Sequence, residues 1–176
     1  MTYVDFFVDF AVSGQVAGVG LSSPLAAWPP ALGDDYRDAS WSAGDMVRQF
    51  GFVDAYFEDT TGEWLCRQIL VKPDWTNSFA GNAPAVIAER YGEFPARVSF
   101  VEIADALAAA GAEVRLLPRV SKAQQDLYWI PAGNVLVSAV SAAQAGDFTG
   151  LEPGDIYSAE TNTLLALPDG HGTRYR

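Results

Sequence analysis

The stretch that decides the fold runs from Gly18 to Val71. It opens with GVGLSSPLAAWPPALG (Gly18–Gly33) and closes with MVRQFGFVDAYFEDTTGEWLCRQILV (Met46–Val71). In the closing part, Met46, Arg48 and Phe50 alternate with Val47 and Gln49, and Gly51 marks a bulge or turn. Beyond it Val53, Ala55 and Phe57 alternate with Phe52, Asp54, Tyr56 and Glu58, which is strand spacing with the first set toward the core. Asp59-Thr60-Thr61-Gly62 reads as the turn of a hairpin whose returning strand is Trp64–Lys72. Such strands are unstable alone in water and need a cover. Leu25, Trp28 and Leu32 supply one, on a single face of a short helix. Ser23 is its expected cap, Pro24 fits its first turn, and Gly33 closes it.

Working outward, Thr2–Val12 fits both periods: Val4, Phe7, Val8 and Ala11 for a helix, Val4, Phe6, Val8 and Phe10 for a strand. A helix over Tyr3–Ala11 is the expectation, ended by Ser13-Gly14. Pro73–Ala83 is a loop, with Trp75 and Phe79 placed to pack or bind, and Asn82 caps a helix running to Arg90. Ser99-Phe-Val-Glu102 is a capping box for a helix over Phe100–Ala110 with Gly111 just past its end, so Ser99→Ala is expected to cost about 1 kcal/mol. Short strands follow over Glu113–Leu117, Leu127–Ile130, Val135–Ala142 and Ile156–Thr163, with turns at Pro118, Pro131–Gly133 and Pro153–Asp155.

The fold expectation is therefore an α+β class, a mostly antiparallel sheet covered by a few short helices. A helix followed by strands occurs in each half, as a pseudo-repeat. The chain of 176 residues reads as a single domain, with possible sub-lobes 1–72 and 82–167 and a frayed tail over 168–176. A chain of this size buries about 70% of its unfolded surface without needing a disulfide or metal staple.

Chemistry is sparse. His171 is the only histidine and sits among glycines in the tail, a poor place for a preorganised base or a zinc ligand. Cys66, the only cysteine, lies in the apolar run WLCRQILV as a small buried hydrophobe, with Arg67 directed to the opposite strand face. Glu58 and Asp59 are formally possible acid–base groups, but adjacent strand residues face opposite ways, and exposed polar residues at a strand's end are the plainer reading. The GVG step lacks the third glycine of a dinucleotide fingerprint, and there is no P-loop, kinase or G-x-S-x-G motif. Asp34, Asp35, Asp38 and Asp45 form an acidic connection with Trp41 among them, but not at calcium-loop spacing. No catalytic residue, metal or cofactor is expected, and the protein reads as a non-enzyme.

Charge points toward partners. With 22 acidic against 11 basic residues the net charge is -11, which disfavours nucleic acid and anionic membranes and favours encounter with a basic protein. Acidity that serves solubility alone is the plainer alternative. The N-terminus carries Asp5 and Asp9 without the basic residues of a signal peptide, and its apolar run is too short for a span, so a cytoplasmic location is expected. Two aromatic-bearing patches are candidate partner sites: Asp34, Asp35, Tyr36, Asp38 and Trp41, and Trp75, Phe79 and Tyr128-Trp129.

The order GVGLSSPLAAWPPALGDDYRD, then MVRQFGFVDAYFE, then a tryptophan strand resembles small bacterial immunity-type proteins of polymorphic toxin systems. In those, glycine-leucine and small residues precede a W–LG–D pattern, and a later R-D-Y-G-L-V-E-F-Y-F stretch corresponds to Arg48–Phe57, where Gln49 and Phe50 replace Asp and Tyr. More loosely, the chain resembles the helix-then-sheet repeats of small inhibitors of beta-lactamases. The immunity resemblance implies a protein that binds and neutralises a cognate toxin domain, and the charge suits a basic one. A small-molecule-binding or sensory domain, with the sheet's concave face as pocket, is the alternative, and an interaction module without a toxin is another.

Overall fold

The helix at the N-terminus shows how local chemistry starts this chain. α1 (Tyr3–Ser13) opens with a reciprocal cap: the Asp5 N–H donates to Thr2 Oγ1 at 3.4 Å, and the Thr2 N–H donates to Asp5 Oδ2 at 2.6 Å. It ends at Gly14, whose φ of 68° lets its N–H close onto the Phe10 carbonyl. The computed structural model describes residues 1–73, 82–117, 125–142, 150–162 and 173–175.

A small hairpin follows, β1 (Gln15–Val16) with β2 (Val19–Gly20). The expected helix then begins later than Ser23. A 3-10 turn over Leu25–Ala27 leads into α2 (Trp28–Leu32), with Pro29 and Pro30 in the first turn, where their missing N–H groups cost nothing. Ser23 is not the cap, because its hydroxyl accepts from the Gly20 N–H at 3.0 Å and its carbonyl accepts from the Cys66 N–H at 3.0 Å.

Four strands then run as a meander: β3 (Arg37–Ser42), β4 (Asp45–Phe50), β5 (Val53–Thr60) and β6 (Glu63–Val71). The acidic connection is thus an edge strand over its second half, not a loop. Helices α3 (Ala85–Tyr91) and α4 (Phe100–Ala109) precede a second meander of β7 (Arg115–Leu116), β8 (Gln125–Ile130), β9 (Val135–Val140) and β10 (Ile156–Asn162), and β11 (Thr173–Arg174) adds to β7. All pairings are antiparallel, in the nine-strand order β11-β7-β8-β9-β10-β6-β5-β4-β3. The two meanders therefore start at opposite ends of the sheet and meet where β6 pairs with β10. This is an α+β fold with a helix-then-strands order in each half.

Register separates the two sheet faces. Phe50, Val53, Val71, Ala159, Val137 and Tyr128 stand in one cross-strand row, and all are buried with the helices' apolar residues in one core. Trp28 stacks on Phe50 with centroids 6.1 Å apart and meets Phe57 edge-on at 5.6 Å, as expected of a helix covering these strands. Phe6 is the hub on α1, edge-on to Phe7, Phe52, Tyr91 and Phe94 at 5.3–5.4 Å. Its burial contributes about 1.5–3 kcal/mol, and each ring pair about 0.5–1.5 kcal/mol more. The end of α1 also approaches the 3-10 turn Pro131–Gly133 so closely that a Cβ on Gly133 would lie 2.4 Å from the Ala11 carbonyl oxygen.

Three other expectations change. The Ser99–Glu102 box does not form: Ser99 makes no side-chain cap, and its backbone bridges to Asp155 while the Phe100 N–H donates to the Gly154 carbonyl at 2.9 Å. Glu102 instead accepts from the Tyr3 hydroxyl at 2.7 Å. Asn82 does not cap α3, whose cap position is Pro84. The tail is not frayed at 173–175. There Tyr175 donates its N–H to the Val114 carbonyl, and its ring packs edge-on against Tyr128 and Phe100 at 5.1 and 5.6 Å. His171, Pro118, Trp75 and Phe79 lie outside the described residues.

Candidate functional site

The site is built around β3. A sequence of Arg-Asp-Ala-Ser-Trp-Ser has no apolar alternation to drive it into a sheet, and all six of its residues are exposed. Its order comes from its neighbours. The Ser42 hydroxyl donates to Asp45 Oδ2 at 2.6 Å, and the Gly44 N–H donates to Ser42 Oγ at 3.3 Å, which fixes the turn into β4. Register places Asp38 opposite Arg48. Arg48 is 7% exposed on the helix-covered face, in the row position between Met46 and Phe50. Its guanidinium donates in parallel to Asp38, Nε to Oδ1 at 2.8 Å and Nη2 to Oδ2 at 2.7 Å. It also lies 3.9 Å from the centre of the Tyr36 ring, which itself packs on Phe50. The hydrogen bond to Asp38 raises the Arg48 pKa above its ordinary value, outweighing the burial that opposes it.

The first predicted patch is therefore brought together, with its members in different states. Asp34 and Asp35 are exposed and enter no ion pair among the described residues. Asp38 is committed to Arg48. Tyr36 is 37% exposed, and Trp41 is 60% exposed where a register shift between Ser40 and Ser42 bulges it from the strand. The Trp41 ring lies 5.8 Å from the Tyr56 ring, on the sheet's second face. Burial, then the charge of Asp54, raises the pKa of the Tyr56 hydroxyl, so it stays neutral. Beside the patch a cleft of about 500 Å³ opens between Asp34–Arg37, Gln49 and the start of α3 at Asn82–Val86.

Of the second predicted patch, the two described members, Tyr128 and Trp129, are buried. Trp129 is 5% exposed, with its indole N–H donated to Asn134 Oδ1 at 3.2 Å and Arg115 over its ring at 5.4 Å. Tyr128 is buried against Phe100, with ring centroids 3.8 Å apart.

Other acids are held by donors of the same chain. Asp54, 3% exposed, accepts from Lys72 Nζ at 2.5 Å and from Gln49 Nε2 at 3.2 Å. Glu58 pairs with Arg67, and Glu152 with Arg97, whose hydrogen bond lowers the Glu152 pKa. Glu160 accepts from Gln68 Nε2 at 2.6 Å. Burial pushes the Cys66 thiol up to about 12, against a weak bond to the Gln68 carbonyl. It is therefore a core residue and not a nucleophile. Among the described residues no three His, Cys, Asp or Glu side chains are grouped to hold a metal, and no helix is long and apolar enough to cross a membrane.

Sequence reading passed over Arg48, which carried a signal: a charged residue in an apolar strand row needs a partner, and Asp38 was the nearby acid. Comparison with protein-family models, curated proteins and solved structures returned no match.

Proposed function

We propose that this chain is a binding protein that neutralises a basic toxin domain in the manner of an immunity protein, using the β3 edge as its contact surface. One observation carries the reading: an edge strand exposed at every residue bears Trp41 and follows directly on Tyr36, beside the acids Asp34 and Asp35, which enter no ion pair among the described residues. In a chain of net charge -11, those acids lie in a field that accelerates encounter with a basic protein. Desolvation of Trp41 then supplies the anchor that slows release. The sequence resemblance over Gly18–Leu70 supports the same role. A protein of this kind works as a stoichiometric inhibitor in the cytoplasm of the cell that makes the toxin, and it needs no catalytic residue.

The test uses the folded protein as bait in lysate of the producing cells, followed by mass spectrometry. Recovery of one basic toxin domain at equal stoichiometry, released by salt, is the expected result. Recovery of no protein, together with thermal stabilisation by a metabolite, would instead favour a small-molecule sensor. That second reading draws on the cleft beside Tyr36, whose volume of about 500 Å³ lies within the ordinary ligand-pocket range.

A further inference from the structure

Resting on that reading of the β3 edge, we infer that the basic partner binds by adding one of its own strands to β3, hydrogen-bonded to the backbone of Asp38 and Ser40. The direction of those backbone groups follows from the hairpins. The β4–β5 turn has two residues, Gly51 and Phe52, so Phe50 and Val53 form its hydrogen-bonded pair. The Asp59 N–H donating to the Gly44 carbonyl keeps the same parity at the other end of the hairpin. Even-numbered residues of β4 thus face β5, and Val47 and Gln49 face β3. Their register partners Ala39 and Arg37 point back at them. The N–H and C=O groups of Asp38 and Ser40 are left aimed away from the sheet, with no strand beyond them among the described residues.

Edges of this kind are usually blunted by proline, lysine or a covering element. Arg37–Ser42 contains no proline or lysine and is exposed at every residue. Its defences are the charges of Arg37 and Asp38 and the bulge at Trp41, which ends the regular stretch at Ser40. The Asp38–Arg48 pair fixes that stretch in place, so an incoming strand meets an ordered template and not a frayed one. Charge selects the occupant. Asp34, Asp35, Asp38 and Asp45 flank the edge against Arg37 and Arg48, and Arg48 is already paired with Asp38. A second copy would set these acids against themselves on two chains each of net charge -11. A strand with lysine or arginine at alternate positions would meet Asp34 and Asp35 with its charges and Trp41 with its side-chain stems.

The test uses an acetylated and amidated decapeptide of alternating valine and lysine, titrated into the full protein and followed by amide NMR and hydrogen exchange. Slowed exchange of the Asp38 and Ser40 amides is expected. Ser40→Pro, which removes only an outward N–H, should weaken the peptide about tenfold, the worth of one lost hydrogen bond with its orphaned partner, and Ser40→Ala should leave binding unchanged. The same peptide N-methylated at alternate residues keeps the protein wild type and should also lose binding. Equal affinity of Ser40→Pro, protection elsewhere, or a wild-type dimer that Ser40→Pro dissociates would overturn the inference. If a basic protein recovered by wild-type bait is held equally by Ser40→Pro, strand addition fails while the proposed function stands. If the peptide behaves as expected but no basic protein is recovered, the edge stands and the proposed function fails.

Discussion

Breaking the Asp38–Arg48 pair should loosen the strand on which the candidate site is built. Arg48 is 7% exposed and the Asp38 side chain 41%, so the pair lies between the buried and the exposed case. Exposed pairs contribute about 0.2–1 kcal/mol, whereas removing one partner of a buried pair costs about 3–5 kcal/mol. Water screens Asp38 but not Arg48, which places the coupling at about 1–2 kcal/mol once solvent screening is discounted. A double-mutant cycle with Asp38→Ala, Arg48→Met and the combined variant, followed by urea denaturation, isolates that term from lost packing on Tyr36. In Asp38→Ala, the Arg37 and Ala39 amides, which bond β4, should exchange about tenfold faster, because an opening energy lowered by 1.4 kcal/mol is one decade. A coupling below about 0.5 kcal/mol with unchanged exchange would refute the argument that this pair orders the edge.

Three further outcomes follow from particular contacts. Thr2→Ala should cost about 1 kcal/mol because it removes a formed cap, while Ser99→Ala should cost only a few tenths, as thermal denaturation of the two variants will compare. Gly51→Ala should destabilise by more than the roughly 1–2 kcal/mol of a left-handed alanine, because its Cβ would fall 1.9 Å from the Asn82 carbonyl oxygen at a φ of 57°; a loss below 1 kcal/mol in urea would contradict the close approach. Alkaline pH should also destabilise the protein. The Cys66 thiol is pushed by burial, and the Tyr91 hydroxyl by burial and its bond to Asp9, up to about 12, above ordinary values near 9 and 10. Each folded-state pKa is raised, so the folded chain holds more protons in that window. The stability from each group is complete below its unfolded value and declines as pH rises toward 12. Cys66→Ala and Tyr91→Phe should flatten the decline, and native Cys66 should resist a thiol reagent at pH 8 that labels it fully in denaturant.

What the sequence revealed and what it hid divide along the range of the interactions. The β5 core set of Val53, Ala55 and Phe57, the Asp59–Gly62 turn and the Trp28 cover were legible, because alternation, turn chemistry and helical spacing are local signals. The end of α1 at Gly14 was legible for the same reason. The Ser99–Glu102 pattern predicted a real helix for a wrong reason, since Tyr3, far away in the chain, takes the glutamate. The Thr2–Asp5 cap had the same pattern before an apolar run and was overlooked because the segment also fitted strand spacing. β7 and β11, of two residues each, are too short for any period to register. At the site, the acids and Trp41 were visible as residue types, but the strand they lie on was not. β3 is exposed on both faces and has no hydrophobic pattern, and it exists only through pairing with β4 and the long reach of Arg48.

The central claim is that the acidic β3 edge receives a basic protein. The most direct measurement is the association rate of the protein recovered by wild-type bait, taken across ionic strength for the wild type and for Asp34→Lys/Asp35→Lys. The two residues are exposed and enter no ion pair among the described residues, so the variant should fold normally while reversing the local field. The account predicts association on the order of tenfold slower for the variant at low salt, with the gap closing as salt rises. Equal rates for the two proteins at every ionic strength would contradict it.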